Sequence, residues 1–237
     1  MTTVLLTGFE PFAGDATNPS GDAVRLVGEA WTGGERLVTA VLPVAFARAA
    51  ERMRELIDAH SPDVILATGL AGGRAVVTPE RVAINLTDAR IPDNDGARPI
   101  DEPSMPGAPA AAFATLPVKA IAAALVDAGI PSAVSYTAGT FVCNHVMFTA
   151  LDAVADRPGG ACGLRPPPVV HRGGACRRTV PADVRHRAGD RHRHPHEHRH
   201  DPRSDARGQG RVARAVRISA DVVVSPILGK MRLMLCW

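Results

Sequence analysis

The sequence predicts an α/β domain over residues 1–160, a three-layer α/β/α sandwich on a mixed, largely parallel central sheet. Two observations carry that prediction. Short β-rich apolar runs, VLLTGF (4–9), LVTAVLP (37–43), DVILATG (63–69) and AVSYTAG (133–139), are punctuated by Gly or Pro, and stretches of helical periodicity lie between them. Continuous apolar strands suit a sheet buried on both faces, and their alternation with helices calls for helices covering those faces.

The helical stretches are specific. Residues 45–59 place Phe46, Ala50, Met53, Leu56 and Ile57 on one face, and residues 118–128 do the same with Ile121, Leu125 and Val126. A third helix is predicted over 144–155, after the strand-to-turn sequence GTFVC. The segment 88–109, rich in Pro, Asp and Gly, reads as a functional loop and not as a linker.

The net charge of +3 conceals a break in the chain. Residues 1–160 carry 11 Lys and Arg against 18 Asp and Glu, whereas residues 161–237 carry 16 against 6. Seven of the nine histidines lie between His171 and His200, and every Phe precedes residue 160. After Gly160 neither strand nor helix periodicity survives, so residues 161–237 form a basic His/Arg/Pro-rich tail predicted to be disordered or misfolded. Its apolar end, ISADVVVSPILGKMRLMLCW, has no obvious partner.

Four cysteines, Cys143, Cys162, Cys176 and Cys236, form no CxxC pair and follow no recognisable secretory leader. A reducing cytoplasm is the expected compartment. Apolar runs are interrupted by charge well before eighteen residues, so no membrane span is predicted.

Chemistry concentrates at strand ends, where open α/β sheets place their sites. Cys143 stands where a strand ends and a helix begins, facing unpaired backbone N–H groups that stabilise negative charge on a thiolate or a tetrahedral oxyanion. A buried structural cysteine is the competing account. TGFEPFAGDATNPSG (7–21) brings Phe9, Phe12 and Asn18 into one loop able to wall a small apolar pocket, although both rings could simply cover the sheet edge. TGLAGGR (68–74) lacks phosphate-loop spacing, and Glu80 and Arg90, taken singly, read as surface charges.

Together these segments resemble one family. TGFEPFAGDATNPS, AGGR, ERVAIN, DARIPDNDG, PIDEP, ATLPVKAI and SYTAGTFVCNHVMF, in that order, are similar to pyroglutamyl peptidase I, or pyrrolidone-carboxylate peptidase, over most of residues 1–156. The resemblance implies a cytosolic cysteine peptidase removing N-terminal pyroglutamate from peptides, without cofactor or metal, on an α/β/α sandwich that assembles as a homotetramer. It places the nucleophile at Cys143 and the acidic triad member at Glu80. It also implies a lactam pocket in which Phe9 and Phe12 stack on the ring, Asn18, Phe141 and Val142 supply backbone, and Arg90 lies beside the oxyanion. Leu70 stands where many members have glutamine, which implies a missing side-chain hydrogen bond and relaxed specificity.

One element of that machinery is absent. The family's histidine lies about two dozen residues after the cysteine, where this chain reads GLRPPPV (163–169). If Leu164–Pro168 were encoded CTT CGT CCA CCT CCC, reading one base later gives Phe-Val-His-Leu-Pro, a strand of the expected kind. In the tract RHRHPHEHRH (191–200), a His codon read one base late before C becomes Ile or Thr, and an Arg codon CGN becomes Val, Ala, Asp or Gly. A single-base shift near the codons for Pro158–Ala161 is therefore expected, leaving the last third out of frame and the peptidase impaired.

The tail admits other accounts. His192, His194, His196, His198 and His200 alternate along one side of an extended strand, but the intervening arginines repel a cation and no recognised metal-ligand spacing is present. A nucleic-acid arm would use the basic excess, yet stacking aromatics and a recognisable module are lacking, so neither partner is expected. A non-catalytic protein with a metal- or nucleic-acid-binding tail remains the alternative. His145, two residues from Cys143, is expected to pack structurally on the first helical turn, and His171 has no predicted strand to aim it.

Overall fold

A computed structural model of the chain describes residues 1–155 and the backbone strand 233–236. A five-stranded sheet has the order β2-β1-β3-β7-β4, from β1 (Thr3–Phe9), β2 (Arg36–Leu42), β3 (Val64–Leu70), β4 (Thr78–Pro79) and β7 (Leu233–Cys236). A separate antiparallel pair joins β5 (Val82–Ile84) to β6 (Ala111–Phe113). The helices are α1 (Pro19–Ala30), α2 (Phe46–His60), α3 (Val118–Asp127) and α4 (Val142–Val154).

β1 runs parallel to both neighbours, Thr3 to Phe9 opposite Arg36 to Leu42 on one side and Val4 opposite Val64 on the other. Every residue of β1 is buried, which is why VLLTGF is apolar without alternation. Because β2 and β3 lie on opposite sides of β1, right-handed crossovers put α1 and α2 on opposite faces. Packing agrees. α1 rests on β1, β2 and β3, while α2 packs on α4, which itself covers β3. α2 buries Phe46, Ala49, Ala50, Met53, Leu56 and Ile57 along one stripe, and Asp93 accepts the Phe46 N–H (2.8 Å) to cap its first turn.

The three predicted strands of the N-terminal half lie within a residue or so of those observed. Three differences stand out. AVSYTAG is not a strand: Ser132 and Ser135 make isolated parallel bridges to Val77 and Glu80, and Tyr136 is largely exposed. A segment that pairs along one side and faces solvent on the other has no apolar environment to extend a ladder. Helix α1 goes unpredicted because Pro19, Gly21 and Gly28 mask its period, although Asn18 caps it and Pro19 occupies its first turn. Finally, the terminal apolar run does find a partner. Ala67 to Leu70 of β3 pair antiparallel with Cys236 to Leu233, and β4 adds in parallel on the far side, so a main-chain ladder covers the flank of β3.

The rest of the tail, with the GLRPPPV segment, His171 and the histidine tract, lies outside the described residues. No helix among the described residues is long and apolar enough to cross a membrane.

Candidate active site

The crossovers from β1 and β3 leave in opposite directions, and open α/β sheets bind ligands at the carboxyl ends of such a strand pair. A cavity of about 270 Å³ lies there. Phe9 ends β1, and Phe12 and Asn18 follow it; Leu70 ends β3, and Ala71, Gly72 and Arg74 follow it. Val44 and the segment from Thr137 to Cys143 complete the wall. Seven of the nine residues expected at the site, Phe9, Phe12, Asn18, Leu70, Phe141, Val142 and Cys143, thus line one cavity.

The first wall is held by close backbone contact. A Cβ on Gly8 would stand 2.3 Å from the Ser20 carbonyl oxygen and one on Gly21 would stand 2.4 Å from that of Phe9, so only glycines let α1 seat directly on the end of β1. Ser20 Oγ accepts the Phe9 N–H (3.0 Å). Asn18 caps α1, its Oδ1 accepting from Ser20 N–H (3.1 Å) and Ser20 Oγ (2.8 Å) while its Nδ2 donates to the Glu10 carbonyl (2.9 Å). The Asn18 side chain is thereby committed to the loop, and its carbonyl accepts the Asp22 N–H (3.1 Å) in the first turn of α1.

Cys143 is the second residue of α4, which begins two residues earlier than the sequence periodicity suggests. The N–H groups of Val142, Cys143 and Asn144 precede the first intrahelical bond, from His145 N–H to the Phe141 carbonyl (3.2 Å), and so stand unpaired by the helix beside the sulfur. Asn144 fixes this turn. Fully buried, it accepts the Ile84 N–H (2.9 Å) and donates to the carbonyls of Ile84 (2.8 Å) and Leu86 (3.0 Å), standing in for a strand partner of β5. Phe141 packs on Phe12 (ring centroids 6.1 Å) and edge-on to Phe46 (5.3 Å), tying the apolar wall to α2.

Glu80 does not line the cavity but stands behind it, fully buried, with Arg74 between. Arg74 Nη1 donates to Glu80 Oε1 (2.9 Å) and to Thr78 Oγ1 (2.9 Å). Oε2 of Glu80 is buried with no hydrogen-bond partner among the described residues. Burial pushes the Glu80 carboxyl above its ordinary range, against the opposing pull of the Ser135 hydroxyl, the Arg74 guanidinium and the Thr137 backbone.

Arg90 is exposed and stands apart from the cavity wall. His145 also points elsewhere. Its Nδ1 lies 2.6 Å from Ser104 Oγ, its ring packs on Phe46, and burial lowers its pKa to about 4. The segment 88–109 contributes nothing to this cavity's lining and acts as a buttress: Asp93 caps α2, Asn94 bonds Glu10 and Pro11, and Arg48 grips Asp95 through Nε and Nη2. Asp93, Asn94 and Asp95 are engaged in these anchors. No group of three or more His, Cys, Asp or Glu among the described residues is placed to hold a metal ion.

Sequence inspection missed two residues that matter here. Arg74 carried no signal beyond its glycine-rich neighbours, and Asn144 none beyond a polar residue on an otherwise apolar helix face.

Comparison with known proteins bears on this geometry directly. The profile of the pyroglutamyl peptidase family matches residues 2–160. Pyrrolidone-carboxylate peptidase of Clavibacter michiganensis is 52% identical over 164 residues, 69% of this chain and 77% of that protein, and the Streptomyces coelicolor enzyme is 55% identical over 148 residues, 62% and 68%. Among solved structures, Bacillus amyloliquefaciens pyroglutamyl peptidase I superposes with a TM-score of 0.64 at 46% identity, covering 66% of this chain and 76% of that one. The Thermococcus litoralis pyrrolidone carboxyl peptidase gives 0.63 at 44% identity, covering 65% and 70%. With its sheet order, its cysteine-headed helix and this shared sequence, the chain belongs to the pyroglutamyl peptidase family.

Proposed function

We propose that the cavity is the acyl pocket of a cysteine peptidase acting on N-terminal pyroglutamyl peptides, and that this chain is impaired in turnover. The observation that supports the reading most is the position of Cys143, in the first turn of a helix and on the wall of an apolar cavity of ring size. The Cys143 sulfur would attack the amide carbonyl, forming a C–S bond while the carbonyl electron pair moves to oxygen beside the unpaired N–H groups of α4. Collapse then breaks the C–N bond, and the leaving amine takes a proton. Water hydrolyses the thioester to free the acid.

That proton needs a carrier, with Glu80 orienting it. No imidazole lines the cavity among the described residues, and His145 is engaged with Ser104. The family profile ends at residue 160, where the composition of the chain changes. That coincidence supports a tail translated out of frame. The lining also favours recognition by shape and backbone: Leu70 brings no polar group, Asn18 is committed to its cap, and Thr140 Oγ1 donates to the Asp88 carbonyl (2.8 Å). Arg90 would approach an oxyanion only after a change in the 88–109 segment. The reading extends to a cytoplasmic homotetramer.

The test compares hydrolysis of a pyroglutamyl-arylamide by the chain as it stands with a version restored to the alternative frame after residue 160. The restored chain is expected to turn over at least ~10³-fold faster, the scale on which loss of a triad member acts. Equal rates would refute the impairment, and an inactive restored chain would refute the assignment of Cys143.

A further inference from the structure

We infer that the cavity retains small carboxylic acids with a compact, ring-sized body, their carboxylate held by the free Nε/Nη2 fork of Arg74. This rests on the reading of the cavity as an acyl pocket, and it identifies the free acid released there as a tighter ligand than its amide.

Among the described residues, Arg74 is the sole charged residue on the wall of this cavity. Both of its side-chain hydrogen bonds, to Thr78 and Glu80, use Nη1, so among the described residues the Nε and Nη2 edge has no partner. The same edge of Arg48 grips Asp95 with two bonds (Nε 2.6 Å, Nη2 2.5 Å), which shows within this molecule what the fork accepts. About a third of the Arg74 side chain is exposed, whereas Glu80 behind it is fully buried. The guanidinium is therefore anchored on its inner side and open on its outer side, with little rotamer freedom left to lose on binding.

Apart from the first-turn N–H groups of α4 beside Cys143, the described part of the remaining wall offers that charge little. Phe9, Phe12, Leu70 and Phe141 offer apolar surface, and the Asn18 side chain is occupied within its loop. A peptide substrate presents an amide beyond its ring. Hydrolysis replaces that amide with a carboxylate, adding the one group the fork selects. Retention of the acid would act as product inhibition, with the burial that raises the Glu80 carboxyl weakening its rival claim on Arg74.

Titration calorimetry on the full chain at pH 7 tests this with two isosteric probes, L-pyroglutamate and L-pyroglutamamide, which requires no turnover. The acid is expected to bind about tenfold to a hundredfold more tightly than the amide at ~0.02 M salt, less so at ~0.5 M. Arg74→Gln should abolish the preference while leaving amide binding largely intact, and Arg74→Lys, with charge but no fork, should keep only part of it. If Arg74→Gln fails to fold, the salt dependence of the unaltered chain and the Arg74→Lys result decide. An amide that binds as well as the acid overturns this inference alone, as does an acid preference that survives in Arg74→Gln. Failure of both probes to bind overturns the acyl-pocket reading along with it.

Discussion

Gly69 and Cys143 share one space: a Cβ added to Gly69 would stand 2.9 Å from the Cys143 sulfur and 3.6 Å from the Phe9 ring. The strand that ends at the cavity thus presents bare backbone to the thiol. A cysteine Sγ can turn about χ1, so the contact is relieved by moving the sulfur and not the sheet. Gly69→Ala is expected to leave the melting temperature within a few degrees of the parent, on the order of 1 kcal/mol. It should slow alkylation of Cys143 by iodoacetamide several-fold. An unchanged rate would show that the sulfur already sits away from Gly69.

Asn144→Ala removes three hydrogen bonds at once and strands the Ile84 N–H and two carbonyls beneath α4. Unsatisfied buried groups of this kind cost about 1–3 kcal/mol each, and partial relaxation or entry of water recovers part of that. A loss of ~3 kcal/mol or more in urea unfolding is expected. Asn144→Asp is the informative companion: it keeps an acceptor for the Ile84 N–H but turns the donors into repulsion against two carbonyls. It should be no more stable than the alanine variant. Greater stability in Asp than in Ala would mean that the carbonyl contacts contribute nothing.

Much of this architecture is visible in the residues themselves. β1, β3 and α2 follow from apolar period alone, because each buries a continuous face; α3 follows through Ile121 and Leu125, although Val126 is exposed, and β2 follows from its apolar run although only Leu42 of it is buried. α1 does not, since its two glycines serve close packing against β1 and the Thr39 side chain and dilute the helical signal. Within the site, Phe9, Phe12 and Asn18 could be gathered from one loop at a strand end, whereas Leu70, Phe141 and Val142 followed from the family resemblance. Arg74 followed from neither. Its importance comes from a partner six residues away across an irregular turn, and no periodicity records that a nearby Glu80 is buried and half-satisfied.

His145 makes a separable acid-stability prediction. Its pKa falls from 6.5 to about 4 through burial, reinforced by the positive Arg54 nearby. In the unfolded chain it protonates first, so the stability it contributes is present above pH 6.5 and lost as pH falls through the folded value. The depression corresponds to on the order of 3 kcal/mol between neutral pH and pH 4. His145→Gln, which retains a partner for Ser104, should match the parent at pH 7.5 and exceed it at pH 4.5 in urea unfolding. A parent and variant that lose stability in parallel would contradict the buried neutral imidazole.

Glu80 should give the opposite slope, which makes the pair a check on the site's electrostatics. Its carboxyl is raised above the ordinary 4.5 chiefly by burial, so the folded chain holds that proton to higher pH than the unfolded chain does. Stability therefore falls as pH rises from the ordinary glutamate range through the raised value, and it levels off once Glu80 is ionised in both states. Glu80→Gln cannot ionise yet still offers Arg74 an oxygen acceptor. Relative to the parent, the glutamine variant should gain stability as pH rises across this interval and hold a constant difference above it. The measurement is urea unfolding of both chains in half-unit steps from about pH 4 to 8. A difference that shrinks with rising pH would mean that the Arg74 ion pair outweighs burial and that Glu80 is ionised in the folded chain from its ordinary range upward.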